Sequence, residues 1–314
     1  MDRAGALAVV IAGLASLALG AQQTGVYRSG TQTVPVYATV LEDGRLVTDL
    51  TREDFEVLDN GRPQKITLFD SSTQPINIVV MLDMSGSMSG NIGLLRSSAV
   101  QIFTRLLPRD KARVGNFGDR ITLSPKFTND QNELIRSLWL DLQPGGPTPL
   151  WAAVNVAMSA LGSLEGRRVV LVLSDGKDTG TRGARGFGRG MTPMRSMFPD
   201  VVERAQTEDF MIYAIGMASR GEGRRAGGFG AEPDPGLRIL AAESGGGYFE
   251  ITQNTALGPA FARVADELHR QYLLGFIVPE QDGKPHLVDV RVNRPGLAVR
   301  ARRSYMAPRG GPSR

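Results

Sequence analysis

Ile78-Val79-Val80-Met81-Leu82-Asp83-Met84-Ser85-Gly86-Ser87-Met88 decides how this chain folds. Its first half is a continuous apolar run, the mark of a strand buried on both faces of a parallel sheet. That strand ends in a carboxylate, and hydroxyls follow at alternate positions. Asp83, Ser85 and Ser87 are hard oxygen donors, which suit Mg²⁺, Ca²⁺ or Mn²⁺. The alternate spacing lets one loop point three side chains inward, and Gly86 is expected to give the tight bend. Working outward, Thr148 stands in Gly145-Gly146-Pro147-Thr148-Pro149-Leu150. Asp175 ends a second apolar strand, Val169-Val170-Leu171-Val172-Leu173-Ser174-Asp175-Gly176. Ligands of open parallel sheets bind beyond the carboxyl ends of the strands, so Asp83 and Asp175 are expected to face one crevice. Together the pieces predict a discontinuous oxygen site for a divalent cation. Each residue also has a plainer reading: the acids and Thr148 as helix caps, and the serines as turn residues.

Composition narrows the chemistry. The 314 residues suffice for one large or two ordinary domains, with 41% hydrophobic and 22% charged residues. Cysteine is absent, which removes disulfides, thiolate metal sites and cysteine nucleophiles. The only histidines are His269 and His286, so a His-rich zinc centre is not expected. A net charge of +4 is mild, and no basic motif with interleaved aromatics accompanies it; nucleic-acid binding is not expected. The serines after Asp83 do not form a Gly-x-Ser-x-Gly nucleophile turn, and Gly176-Lys177-Asp178 is not a P-loop.

Residues 1–21 read as a signal peptide. Arg3 precedes an apolar or small run from Ala4 to Leu19, and Ala18-Leu19-Gly20 or Leu19-Gly20-Ala21 offers a cleavage end. The expected location is secreted, periplasmic or in the cell envelope. Contact with a membrane is expected only through an uncleaved N-terminal segment.

Between the signal and the central region, residues 22–73 read as a β segment. Val34, Val36, Ala38 and Val40 alternate, and Asp59-Asn60-Gly61 is a hairpin turn between apolar runs. Residues 74–270 alternate strand and helix. Strands are expected at Ile78–Leu82, Ala112–Phe117, Val169–Leu173, Phe210–Ile215 and Gly247–Ile251. Helical spacing joins Ile92 to Leu106, Leu150 to Leu161, Leu237 to Ala241 and Leu257 to Leu268. Residues 271–305 return to β, and 306–314 read as a disordered tail. The fold class is therefore α/β: a doubly wound, mostly parallel sheet, with a flanking β-sandwich-like domain built from the N- and C-terminal strands.

The set Asp83-x-Ser85-x-Ser87, then Thr148, then Asp175, resembles the metal-ion-dependent adhesion site of the von Willebrand factor type A family. The front segment Leu50–Gly61 and the tail from Tyr272 to Tyr305 look like the exported acidobacterial subgroup of such proteins. The resemblance implies a Rossmann-like domain over 74–270 with Ser85, Ser87 and Thr148 as direct hydroxyl ligands. Asp83 and Asp175 would bind directly or through water. The cation, Mg²⁺ before Ca²⁺ or Mn²⁺, would then seek an acidic side chain of a partner protein. One departure is visible: no acid follows Thr148 in Leu150-Trp151-Ala152-Ala153, which suggests lost support around the ligands. Residues 176–199 are basic, and Arg182, Arg185, Arg189 and Arg195 are expected to form a collar that attracts an acidic partner. The function expected is a binding or adhesion module and not an enzyme. Rival readings are a metal-assisted hydrolase and a structural envelope protein with an unused site.

Overall fold

The computed structural model describes residues 32–139, 144–180, 197–218, 232–252 and 256–309. The expected signal peptide, the tail beyond 309 and all four arginines of the expected collar lie outside the described residues. The chain begins with β1 (Thr33–Glu42), β2 (Arg45–Leu46), β3 (Phe55–Asp59), β4 (Arg62–Gln64) and β5 (Ile66–Asp70). Then come β6 (Ile76–Asp83), α1 (Ile92–Phe103), β7 (Lys111–Phe117), β8 (Ile121–Leu123), α2 (Gln131–Trp139) and α3 (Leu150–Leu161). β9 (Arg167–Ser174), α4 (Phe198–Thr207), β10 (Phe210–Met217), α5 (Pro235–Ser244), β11 (Tyr248–Ile251) and α6 (Leu257–His269) continue the alternation. The chain closes with β12 (Tyr272–Ile277), β13 (Pro285–Val292), β14 (Leu297–Arg300) and β15 (Ser304–Met306). Among the described residues no helix is long and apolar enough to cross a membrane.

The central sheet has six strands in the order β11-β10-β9-β6-β7-β8. Its pairs are parallel except β7 with β8, which is antiparallel. Why β6 is apolar from Ile78 to Leu82 is clear from its two faces. Ile78, Val80 and Leu82 pack among residues of α1 and α6, while Val79 and Met81 pack among residues of α3, α4 and α5. Side chains of a strand alternate between faces, so a strand covered on both sides needs apolar residues at every position. After β6 the chain builds β7 on one side, then crosses to β9 on the other. The reversal opens a crevice beyond the carboxyl ends of β6 and β9, where open α/β sheets bind ligands.

Two further sheets, β14-β1-β12-β5 and β15-β13-β3-β4, share one core. Strands from both ends of the chain interleave: Val36 of β1 lies opposite Leu274 of β12, and Val57 of β3 opposite Val290 of β13. This β module sits at the amino edge of the central sheet. Arg167, the first residue of β9, lies over the Tyr37 ring with its guanidinium 4.5 Å from the centroid. It donates to the Leu268 carbonyl at 2.5 Å, and Arg302 of the β module donates to the Gln206 carbonyl at 2.9 Å. Both carbonyls belong to the last turns of helices, α6 and α4, whose negative dipole ends suit a guanidinium. Beside them Glu267 of α6, fully buried, pairs with Arg300 of β14, and Gln271 donates to Thr39 of β1 at 2.6 Å. The crevice therefore lies at the edge of the sheet opposite the β module.

Candidate metal centre

Asp83 closes β6 and is fully buried. One of its carboxylate oxygens, Oδ1, accepts from the Ser85 amide at 2.8 Å, and the other accepts from the Ser174 hydroxyl, the last residue of β9. Ser85 Oγ lies 3.1 Å from Ser87 Oγ, and Ser87 Oγ donates to Asp175 Oδ1 at 2.8 Å. Residues 86–90 form a 3₁₀ turn rather than a glycine-dependent bend. Gly86 is not among the glycines with positive φ, so the bend expected there needs no left-handed backbone. That demand falls instead on Gly146, at φ +76°, where a Cβ would collide with Asp119.

Thr148 reaches the same place from another loop. The Gly145 amide donates to the Met84 carbonyl at 2.8 Å and the Gly86 amide to the Gly146 carbonyl at 3.3 Å, so this loop lies against Asp83-to-Ser87. The Thr148 hydroxyl is 3.6 Å from the position a Cβ would take on Gly176, the residue after Asp175. Asp83, Ser85, Ser87, Thr148 and Asp175 thus gather at the crevice. Asp83, Ser85, Thr148 and Asp175 are buried, while Ser87 is exposed, so the cluster opens to solvent on the Ser87 side. The plainer reading of Thr148 as the cap of α3 does not hold, since the capping position falls on Pro149.

Among the described residues the electrostatics of the cluster are those of acids without a counter-charge. Burial pushes Asp83 up to about 6, against the pull of hydrogen bonds from Ser174 and Ser85, and the Asp175 charge adds to the rise. Burial also raises Asp175, opposed by the hydrogen bond from Ser87. Among the described residues neither acid is paired with a lysine or arginine. Among the described residues no group of three or more His, Cys, Asp or Glu side chains is placed to hold a metal ion, so the donors here are two carboxylates and three hydroxyls. The donor set of two carboxylates and three hydroxyls fits a hard divalent cation, whose charge would relieve both acids.

Three contributors escaped the sequence reading. Ser174 donates to the Asp83 carboxylate; a hydroxyl closing the apolar run Val169–Leu173 was the available signal. Asp178 answers the missing acid after Thr148: its carboxylate accepts from the Trp151 amide at 3.4 Å at the start of α3. Thr179 bonds the Thr148 backbone. A carboxylate thus stands at the start of α3 from a different loop than the one expected to carry it.

Residues 78–177 match the family model of the von Willebrand factor type A domain. No curated protein matches the chain. Among solved structures, the von Willebrand factor domain of the type V pili tip protein Mfa5 from Porphyromonas gingivalis is 14% identical. That match covers 62% of this chain and 95% of that one, at a TM-score of 0.47. The PilB minor pilin from Streptococcus sanguinis is 16% identical, covering 64% of this chain and 63% of that one at a TM-score of 0.47. A von Willebrand factor type A protein from Catenulispora acidiphila is 12% identical, covering 90% and 74% at a TM-score of 0.49. The match to the von Willebrand factor type A model over residues 78–177 takes in the strands that carry Asp83 and Asp175 and the loops between them.

Proposed function

We propose that this chain is an exported binding module that holds a divalent cation, Mg²⁺ above all, and through it an acidic group of a partner protein. One observation carries the reading: two buried carboxylates, linked through serine hydroxyls, lie at the switch point of the sheet, and among the described residues no lysine or arginine pairs with either. Burying such a pair is costly unless a cation is taken up. With neutral hydroxyls making up most of the donors, the ion keeps residual positive charge, and the exposed Ser87 side gives an Asp or Glu of a partner access to it. Binding rather than catalysis is supported by the histidines. His269 is engaged with Asp110 at 2.8 Å and His286 with Asp59 at 2.9 Å, so neither serves the site as a general base. In this reading the chain works outside the cytoplasm.

The test is a peptide array that varies Asp and Glu against Asn and Gln, probed with the mature chain. Retention is expected only on acidic peptides, only with Mg²⁺ present, and not with Asp83→Ala. Equal retention in chelator, or equal retention by the variant, contradicts the reading.

A further inference from the structure

We propose that Thr179 and Asp178 are positioning residues for Thr148, and that the loop after Asp175 sets the strength of the cation site. The inference rests on the reading of that site given above. Thr148 is gripped by one residue from two directions: its amide donates to Thr179 Oγ1 at 2.8 Å, and its carbonyl accepts from the Thr179 amide at 3.0 Å. Such a reciprocal pair fixes both the place and the tilt of the Thr148 peptide, and with it the aim of the hydroxyl. Hydrogen bonds to Met84, Gly86 and Asp119 hold the loop at Gly145 and Gly146, while Pro147 and Pro149 on either side of Thr148 have no amide to donate.

Asp178 acts one step further on. The α3 helix starts at Leu150, two residues after Thr148, and its positive dipole end would face an incoming cation. The Asp178 carboxylate accepts from the amides there, which anchors the helix start and offsets that field. Its own amide donates to Asp234 Oδ2 at 3.0 Å, while the Asp234 amide donates to the Gly176 carbonyl at 3.3 Å. Asp234 also caps α5 through the Gly236 amide at 2.9 Å. Three loops of the metal face are therefore held as one unit through residues 176–179.

The experiment is Mg²⁺ titration calorimetry on the whole chain for wild type, Thr179→Val, Thr179→Ser and Asp178→Asn, with melting in chelator alongside. Thr179→Val keeps the shape but removes the acceptor, and is expected to weaken Mg²⁺ about tenfold, as loss of support around ligands commonly does. Thr179→Ser should restore most of the affinity. Asp178→Asn should weaken it as well, through the loss of charge at the helix start. Melting without the cation should change little in the Thr179 pair, which separates aiming of the ligand from general folding. Normal Mg²⁺ uptake by wild type with an unchanged Kd in Thr179→Val overturns this proposal alone. No Mg²⁺ uptake by wild type overturns the reading of the site, and the proposal with it.

Discussion

Asp83 keeps a buried carboxylate that pairs with no lysine or arginine among the described residues. Burial raises its pKa to about 6, so the carboxylate that predominates at pH 7 is held at a cost relative to water. Asp83→Asn would keep the acceptor for the Ser85 amide and gain a donor toward Ser174, while removing the charge. The variant is expected to be more stable than wild type in chelator at pH 7, by on the order of 1–3 kcal/mol, and to lose Mg²⁺ uptake. Urea titrations with and without Mg²⁺ read both effects. His286 poses the opposite case. Burial lowers its pKa, but Asp59 and Asp282, one at each ring nitrogen, outweigh that and hold it above the ordinary value. Because the folded value is raised, the stabilisation is complete below about pH 6.5, the ordinary histidine value, and is lost as pH climbs through the raised one. Urea midpoints measured from pH 6 to 9 should fall for wild type and stay flatter for His286→Gln. The five oxygen-bearing residues were legible in the sequence because each sits at or just past a strand end or beside glycines and proline. Asp178 and Thr179 were not, because their partners lie about thirty residues away and only the folded chain brings them together.

At the scale of elements, β6 and β9 declared themselves because both faces of each are covered, which leaves an unbroken apolar run. The helices α2 and α4 carried too little signal. Each buries two apolar side chains, Leu134 with Leu138 and Val201 with Ala205, and polar residues occupy most of the remaining positions. The short β8 was missed for a similar reason: none of its three residues is fully buried. The turn after α5 illustrates packing that no pattern announces. Gly245 adopts φ +79°, and a Cβ on Gly246 would stand 1.9 Å from the Ile212 carbonyl oxygen of β10. Backbone cannot yield there as a side-chain end would. Gly246→Ala is therefore expected to cost about 3 kcal/mol, read as a lowered urea midpoint with little change in slope.

At the scale of the whole molecule, the β module and the central sheet are joined by buried polar groups rather than by a linker. Glu267 is fully buried and meets Arg300 of β14, Arg263 of its own helix and the Tyr213 hydroxyl of β10. Removing the carboxylate would leave the Arg300 guanidinium without its partner in a largely buried place. Glu267→Ala should cost about 3 kcal/mol or more. Because the connection is shared, wild type should unfold in one transition, with tryptophan fluorescence and far-ultraviolet dichroism coinciding. The interleaving of β1 with β12 and of β3 with β13 places both ends of the described chain in the β module, so the metal face is presented at the opposite edge. Alternating apolar residues located those strands in the sequence, but their partners are over two hundred positions away, where no local pattern reaches.

A crystal of the whole chain grown with Mn²⁺ tests the central claim most directly, since the anomalous signal locates the ion independently of any structural model. The predicted result is one strong peak bounded by Asp83, Ser85, Ser87, Thr148 and Asp175, absent in Asp83→Ala. No peak there at saturating Mn²⁺, or a peak that survives the substitution unchanged, would contradict it.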